Sequence, residues 1–90
     1  KQSIEETMRN FTKDTKNNLE ALEAAFIRKD LSNINQISHK MLSMFNQLEI
    51  ESILPYLHYF ESAKSADNVE FNSFKTHLKV LIESLENDFN

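Results

Sequence analysis

Glycine is missing altogether, and proline occurs once, at Pro55. Without glycine the chain has no ready source of tight hairpin turns and no glycine phosphate loop. Hairpin-rich β structure and loop-cradled nucleotides are therefore disfavoured, and long helices with short connections remain. Cysteine is absent too, which excludes a disulfide framework and thiolate chemistry and fits the expected location, a reducing cytoplasm. No apolar run approaches the roughly 18–20 residues that cross a bilayer. The opening KQSIEETMRN is polar throughout and does not read as a signal peptide. Cations are in the minority, 10 Lys and Arg against 14 Asp and Glu, for a net charge of −4. Nucleic acid and anionic membrane surfaces are accordingly not expected as partners.

What is present is enough for one small core. Hydrophobic residues make up 40% of the chain, which suits a single domain over residues 1–90 with a narrow stability margin. The start at Lys1 rather than methionine reads as a domain excised from something longer. Four stretches carry apolar residues at three- and four-residue spacing. The first opens on a capping-box pattern, Ser3 to Glu6, and runs Ile4, Met8, Phe11, Thr15, Leu19, Leu22, Phe26. It could be one helix to Arg28. A break near Phe11–Thr12, capped by Asn10 or Thr12, is favoured and would give a short additional N-terminal helix. Asp30 is placed to cap a central helix running to about Gln47. Pro55 must lie in the first turn of the third helix, which should start at Glu51 or Ser52. Asp67-x-x-Glu70 caps the last helix, with Phe71, Phe74, Leu78, Leu81, Ile82, Leu85 and Phe89 inward and Lys79–Glu83 a candidate i,i+4 pair. The expected fold is all-α, an antiparallel up-down four-helix bundle.

The central stretch Leu31–Leu48 is the distinctive one. Its apolar residues are Ile34, Ile37, Met41, Met44, Phe45 and Leu48, and at about 100° per residue their stripe centres about 150–170° from His39. The imidazole therefore points outward. Ser32, Asn35, Gln36, Ser43 and Asn46 share its face, Leu42 borders it, and Lys40 is the stretch's only other ionisable group. In a heavily charged chain this is a neutral outer surface, suited to protein docking because little charge must be desolvated. Glu61, on the third helix, falls at the edge of an apolar stripe with Ile50 and Leu54. A carboxylate at such a seam either bridges to a neighbouring helix or hydrogen-bonds something specific, and the structural bridge is the simpler reading.

Other chemistry finds little support. His39, His58 and His77 fall on three different helices without the close pairing of zinc ligands, so no metal site is expected. His58 and His77 read as ordinary surface or boundary residues. No Ser/Cys–His–acid set can be placed. His39 itself is a candidate nucleophile, because a neutral imidazole keeps a lone pair that can attack and carry a phosphoryl group. Ser43, one turn on, is small enough to let a partner approach.

Phe11, Leu19, Leu22 and Asp30, then SHKMLSMFNQL at 38–48, then Leu57 and Glu61, together resemble the histidine phosphotransfer (HPt) domains of two-component hybrid sensor kinases, especially the Bacteroides type. The resemblance spans nearly the whole chain but rests on that one motif. It implies a phosphorelay carrier for signal transduction rather than an enzyme. His39 would be the phosphoacceptor, exchanging phosphate reversibly with the phospho-aspartates of response-regulator receiver domains. Ser32, Asn35, Gln36, Leu42, Ser43 and Asn46 would form the receiver-docking face, and Lys40 and Ser43 would assist. The domain would be a monomer needing no cofactor of its own, with Mg²⁺ on the receiver. Glu61 matches the family position that hydrogen-bonds the non-reacting imidazole nitrogen, although the helical wheel would demand a favourable crossing angle or a bridging water. The common family motif is His-x-Leu-Lys-Gly. Here Leu42 and Ser43 stand at the Lys and Gly positions, and Lys40 lies about 100° away around the helix. Two alternatives belong to other classes. One is a helical docking module that carries no phosphate. The other is the dimerisation and phosphoacceptor region of a kinase, which resembles His-Glu-x-x-x-Pro, whereas Lys40 follows His39 and no proline precedes Pro55. A stand-alone enzyme is the reading with least support.

Overall fold

The computed structural model describes residues 3–89, with Phe89 described by its backbone alone. Four helices follow one another: α1 (Ile4–Arg28), α2 (Leu31–Gln47), α3 (Leu54–Glu61) and α4 (Asn68–Phe89). They form an all-α helical bundle, with no strand among the described residues. None of the helices is long and apolar enough to cross a membrane.

Helix α1 starts where its capping residue predicts, with Ser3 accepting from the Glu6 N–H at 3.1 Å and Glu5 and Glu6 complementing the helix dipole. The favoured break near Phe11–Thr12 does not occur, so there is no additional short helix. Phe11 and Thr12 are both buried within α1. The Thr12 hydroxyl donates to the Met8 carbonyl one turn back, at 2.8 Å, and is thus used inside the helix rather than as a new cap. Ile4, expected in the stripe, is 74% exposed, and the core begins at the half-buried Met8.

Helix α1 must stop without glycine. Lys29 takes the left-handed conformation (φ 55°, ψ 38°). Its N–H bonds the Phe26 carbonyl at 3.1 Å, and the Asp30 N–H bonds that of Ala25 at 2.9 Å. This is the paired closure in which glycine is usual, and a side chain there costs about 1 kcal/mol. The device recurs after α2. Glu49 has φ 56°, and Glu49 and Ile50 donate to Asn46 and Phe45, both at 3.1 Å. In each case two carbonyls that would otherwise be orphaned gain partners, which offsets the strain. Asp30 then caps α2 directly, accepting from the Asn33 N–H at 3.2 Å. The link between α1 and α2 is therefore only Lys29 and Asp30, which forces the two helices antiparallel.

Helix α3 begins at Leu54, later than the expected Glu51 or Ser52. The residues ahead of it close a turn, Leu54 N–H to Glu51 carbonyl at 3.1 Å, and Pro55 sits in the first helical turn where its missing N–H has no role. Asp67 accepts from the Val69 and Glu70 N–H groups, both at 3.1 Å, and opens α4. The inward residues of α4 are placed as expected; the Phe89 side chain lies outside the described residues.

Two aromatic groups hold the helices together. Phe26, Phe60, Phe71 and Phe74 form one, with Phe26 stacked on Phe71 at 4.3 Å and Phe60 edge-on to Phe26 and Phe74 at 5.3 and 5.4 Å. Phe11 and Phe45 form the other, edge to face at 4.9 Å. On the outside, α1 and α4 are braced by Lys16–Glu86 at 2.6 Å and Lys75–Glu23 at 2.7 Å. Lys79–Glu83 is not among the ion pairs of the described residues. The Lys75 ammonium, by hydrogen bond and charge, holds the Glu23 carboxyl below the usual carboxylate range, and the charge of Lys79 adds to this.

Candidate functional site

The residues of α2 that become buried are Ile34, Ser38, Met41, Leu42 and Phe45, while Ile37, Met44 and Leu48 are only half-buried. The core-facing arc is thus turned towards His39 and centres about 115° from it, rather than 150–170°. The cause is α3, which packs along α2 on the side of Asn35 and His39. It covers the flank that a wheel drawn on α2 alone leaves to solvent. Leu42 is a correction for the same reason. At 6% exposure it belongs to the core and not to a docking face.

The rotation brings His39 and Glu61 into direct contact. Glu61 is the last residue of α3, and its Oε1 lies 2.5 Å from His39 Nδ1. The contact is direct, so no bridging water is needed. A carboxylate can only accept, so Nδ1 carries a proton, and in the neutral ring Nε2 keeps its lone pair. The His39 side chain is 67% exposed while that of Glu61 is 30% exposed. The ring is therefore largely open to solvent while its Nδ1 is held by Glu61. Glu61 also has His58 on its other side, with Oε2 3.9 Å from His58 Nδ1.

Around this pair, Ser32, Gln36, Ser43, Asn46 and Lys40 are exposed. Gln36 donates to the Ser32 hydroxyl at 3.4 Å, along the helix surface. Lys40 joins none of the ion pairs among the described residues. Asn35, expected on the outer face, is half-buried and turned to α3 instead. Its Nδ2 donates to the Phe60 carbonyl at 2.7 Å and to that of Ala63 at 3.3 Å.

The deeper grooves are built by other helices. Grooves of about 300 and 430 Å³ between α1 and α4 are lined by residues of those helices only, Lys16 and Glu86 among them. His39 lines neither groove, and its exposed side chain suits contact with a macromolecule better than enclosure of a small molecule.

Three features escape a reading of the residues alone. Ser38, next to His39, is fully buried, and its hydroxyl finds no partner among the described residues. Asn35 bonds across to α3, for which the only signal is its place one turn before His39. On the far side of α3, the Tyr56 hydroxyl meets Ser73 Oγ at 2.8 Å and His77 Nδ1 at 3.3 Å, a cluster no spacing rule would assemble.

No family model, curated protein or solved structure matches this chain.

Proposed function

We propose that this domain is a histidine phosphotransfer module, with His39 as the phosphoryl carrier and a receiver domain as its partner. The observation that carries the reading is the 2.5 Å contact between Glu61 Oε1 and Nδ1 of an imidazole that is two-thirds exposed. In the proposed step, the Nε2 lone pair attacks the phosphorus of a receiver's phospho-aspartate. The N–P bond forms as the P–O bond breaks, and the aspartate carboxylate leaves with the electron pair. The Nδ1 proton stays where it is. Phosphorylation at Nε2 therefore puts positive charge on the ring, and the Glu61 carboxylate offsets it. The reverse step returns the phosphoryl group to a second receiver. The domain supplies a nucleophile and a docking face and needs no cofactor, while Mg²⁺ and the remaining catalytic groups belong to the receiver.

Ser32, Gln36, Ser43 and Asn46 support docking because they surround His39 without charge. The buried Leu42 supplies no cation for the phosphate. Lys40 is the cation of α2 left to reach it.

The test is transfer of labelled phosphate from a phosphorylated receiver domain to the native protein and to His39→Gln. Label should appear on the native protein alone and be lost in acid but stable in base. If neither protein takes up label while both bind the receiver, the domain is a docking module without phosphate chemistry. The neutral face and the absence of a lysine at Leu42 favour that second reading.

A further inference from the structure

Glu61 can hold the His39 ring only if the end of α3 is itself held, and α3 is the weakest element for that purpose. It has eight residues and no side-chain cap at its N-terminus. Its last turn is closed by local bonds, the i+4 geometry of the helix ending there. Phe60, just before Glu61, has its ring locked in the aromatic core, yet that fixes a face of the helix about 100° round from the carboxylate. Within the end of α3, the Ala63 N–H donates to the Phe60 carbonyl at 3.3 Å and the Ser62 hydroxyl to that of His58 at 3.2 Å, but the side chain that ties it to another helix on this flank is Asn35. Asn35 Nδ2 donates to the carbonyls of Phe60 at 2.7 Å and Ala63 at 3.3 Å. Asn35 also lies one turn before His39 on the same flank of α2, so donor and imidazole share a rigid mount.

We infer that Asn35 is a positioning residue, whose amide clamps the C-terminal end of α3 to α2 so that Glu61 meets His39 Nδ1. The clamp acts on the imidazole through Glu61 and touches neither ring nor phosphate. It sets the tautomer of His39, and through it which nitrogen is free to react. Only the consequence for phosphate uptake rests on the phosphotransfer reading; the tautomer is a property of the domain by itself.

The deciding experiment is ¹⁵N NMR of the His39 ring in four proteins: native, Asn35→Ala, Glu61→Ala and the double variant. The native ring should be mainly Nδ1–H. Each single variant should turn it mainly to Nε2–H, and the double variant should match Glu61→Ala. An Asn35→Ala protein that melts earlier but keeps the native tautomer overturns the proposal, since Asn35 would then only stabilise the bundle. A double variant shifted well beyond Glu61→Ala also overturns it, because Asn35 would be acting by another route. Should Asn35→Ala fail to fold, Asn35→Ser serves, its hydroxyl being too short to reach both carbonyls. Phosphate uptake from a receiver is then a separate reading, expected to slow about tenfold in Asn35→Ala. A shifted tautomer with no uptake by any of the proteins leaves the clamp standing and removes the phosphotransfer reading instead.

Discussion

Two exposed histidines of this bundle have the same ring nitrogen occupied, and they are not equivalent. His39 gives Nδ1 to the Glu61 carboxylate at 2.5 Å. His77 gives Nδ1 to the Ser73 carbonyl at 3.0 Å, with the Tyr56 hydroxyl at 3.3 Å. Both rings are thereby held as the Nδ1–H tautomer with a free Nε2. The difference lies in the partner. A carbonyl is a neutral dipole and can orient a ring but not balance a charge placed on it, whereas a carboxylate does both. The surroundings differ as well. The Tyr56 ring lies 5.6 Å from the His77 ring and covers part of it, while His39 opens onto uncharged Ser and Asn side chains. Orientation is common to both rings; what sets His39 apart is its anionic partner and its open, uncharged approach.

The largest effect should come from exchanging each histidine for glutamine. His39→Gln should abolish phosphate uptake from a phosphorylated receiver and His77→Gln should leave it intact, as read by label on the protein. Uptake lost in both would put the distinction between the two faces in error. Phe60→Ala should strike both faces together. Its ring packs against Phe26, Phe71 and Phe74 and its carbonyl receives Asn35, so removal should cost about 3–5 kcal/mol in urea unfolding, much of the stability of a domain this size.

A finer comparison replaces each histidine's partner. Glu61→Gln keeps an acceptor for Nδ1 but loses the charge, and should slow phosphate uptake about tenfold. Tyr56→Phe removes the hydroxyl from Ser73 and His77, and should cost about 1 kcal/mol of stability without changing uptake. Equal slowing by both would mean that ring orientation, not charge, is what matters. The smallest effect concerns the α1–α4 brace, away from both rings. The Glu23 carboxyl is held below its ordinary value near 4.5 by Lys75. That stabilisation is complete above the ordinary value and is lost as the pH falls through the lowered one. Lys75→Met should flatten this part of the acid unfolding profile, measured by circular dichroism, and leave the His39 tautomer unchanged.

Much of this molecule is legible in the order of its residues. The apolar spacing locates four helices, Ser3, Asp30 and Asp67 mark three of their starts, and Pro55 falls in a first turn, because each of these depends on neighbours within one or two turns. His39 as the exposed residue of a neutral surface follows from the same periodicity. Where local signals competed, the reading went astray. Thr12 can cap a helix or bond back within one, and packing of Phe11 and Thr12 against the core decided for continuity.

What the tertiary structure alone decided is how α2 is turned. A helical wheel weighs only the side chains of its own helix, whereas burial is set by every element that packs on it. Helix α3 covers a flank of α2 that is polar at Asn35 and Ser38, and in doing so it buries Leu42 and carries Glu61 to His39. No spacing within either helix contains the 22-residue separation between those two groups. Beside that contact an asparagine of one helix reaches the carbonyls at the end of another, and such partnerships form only once the chain has folded.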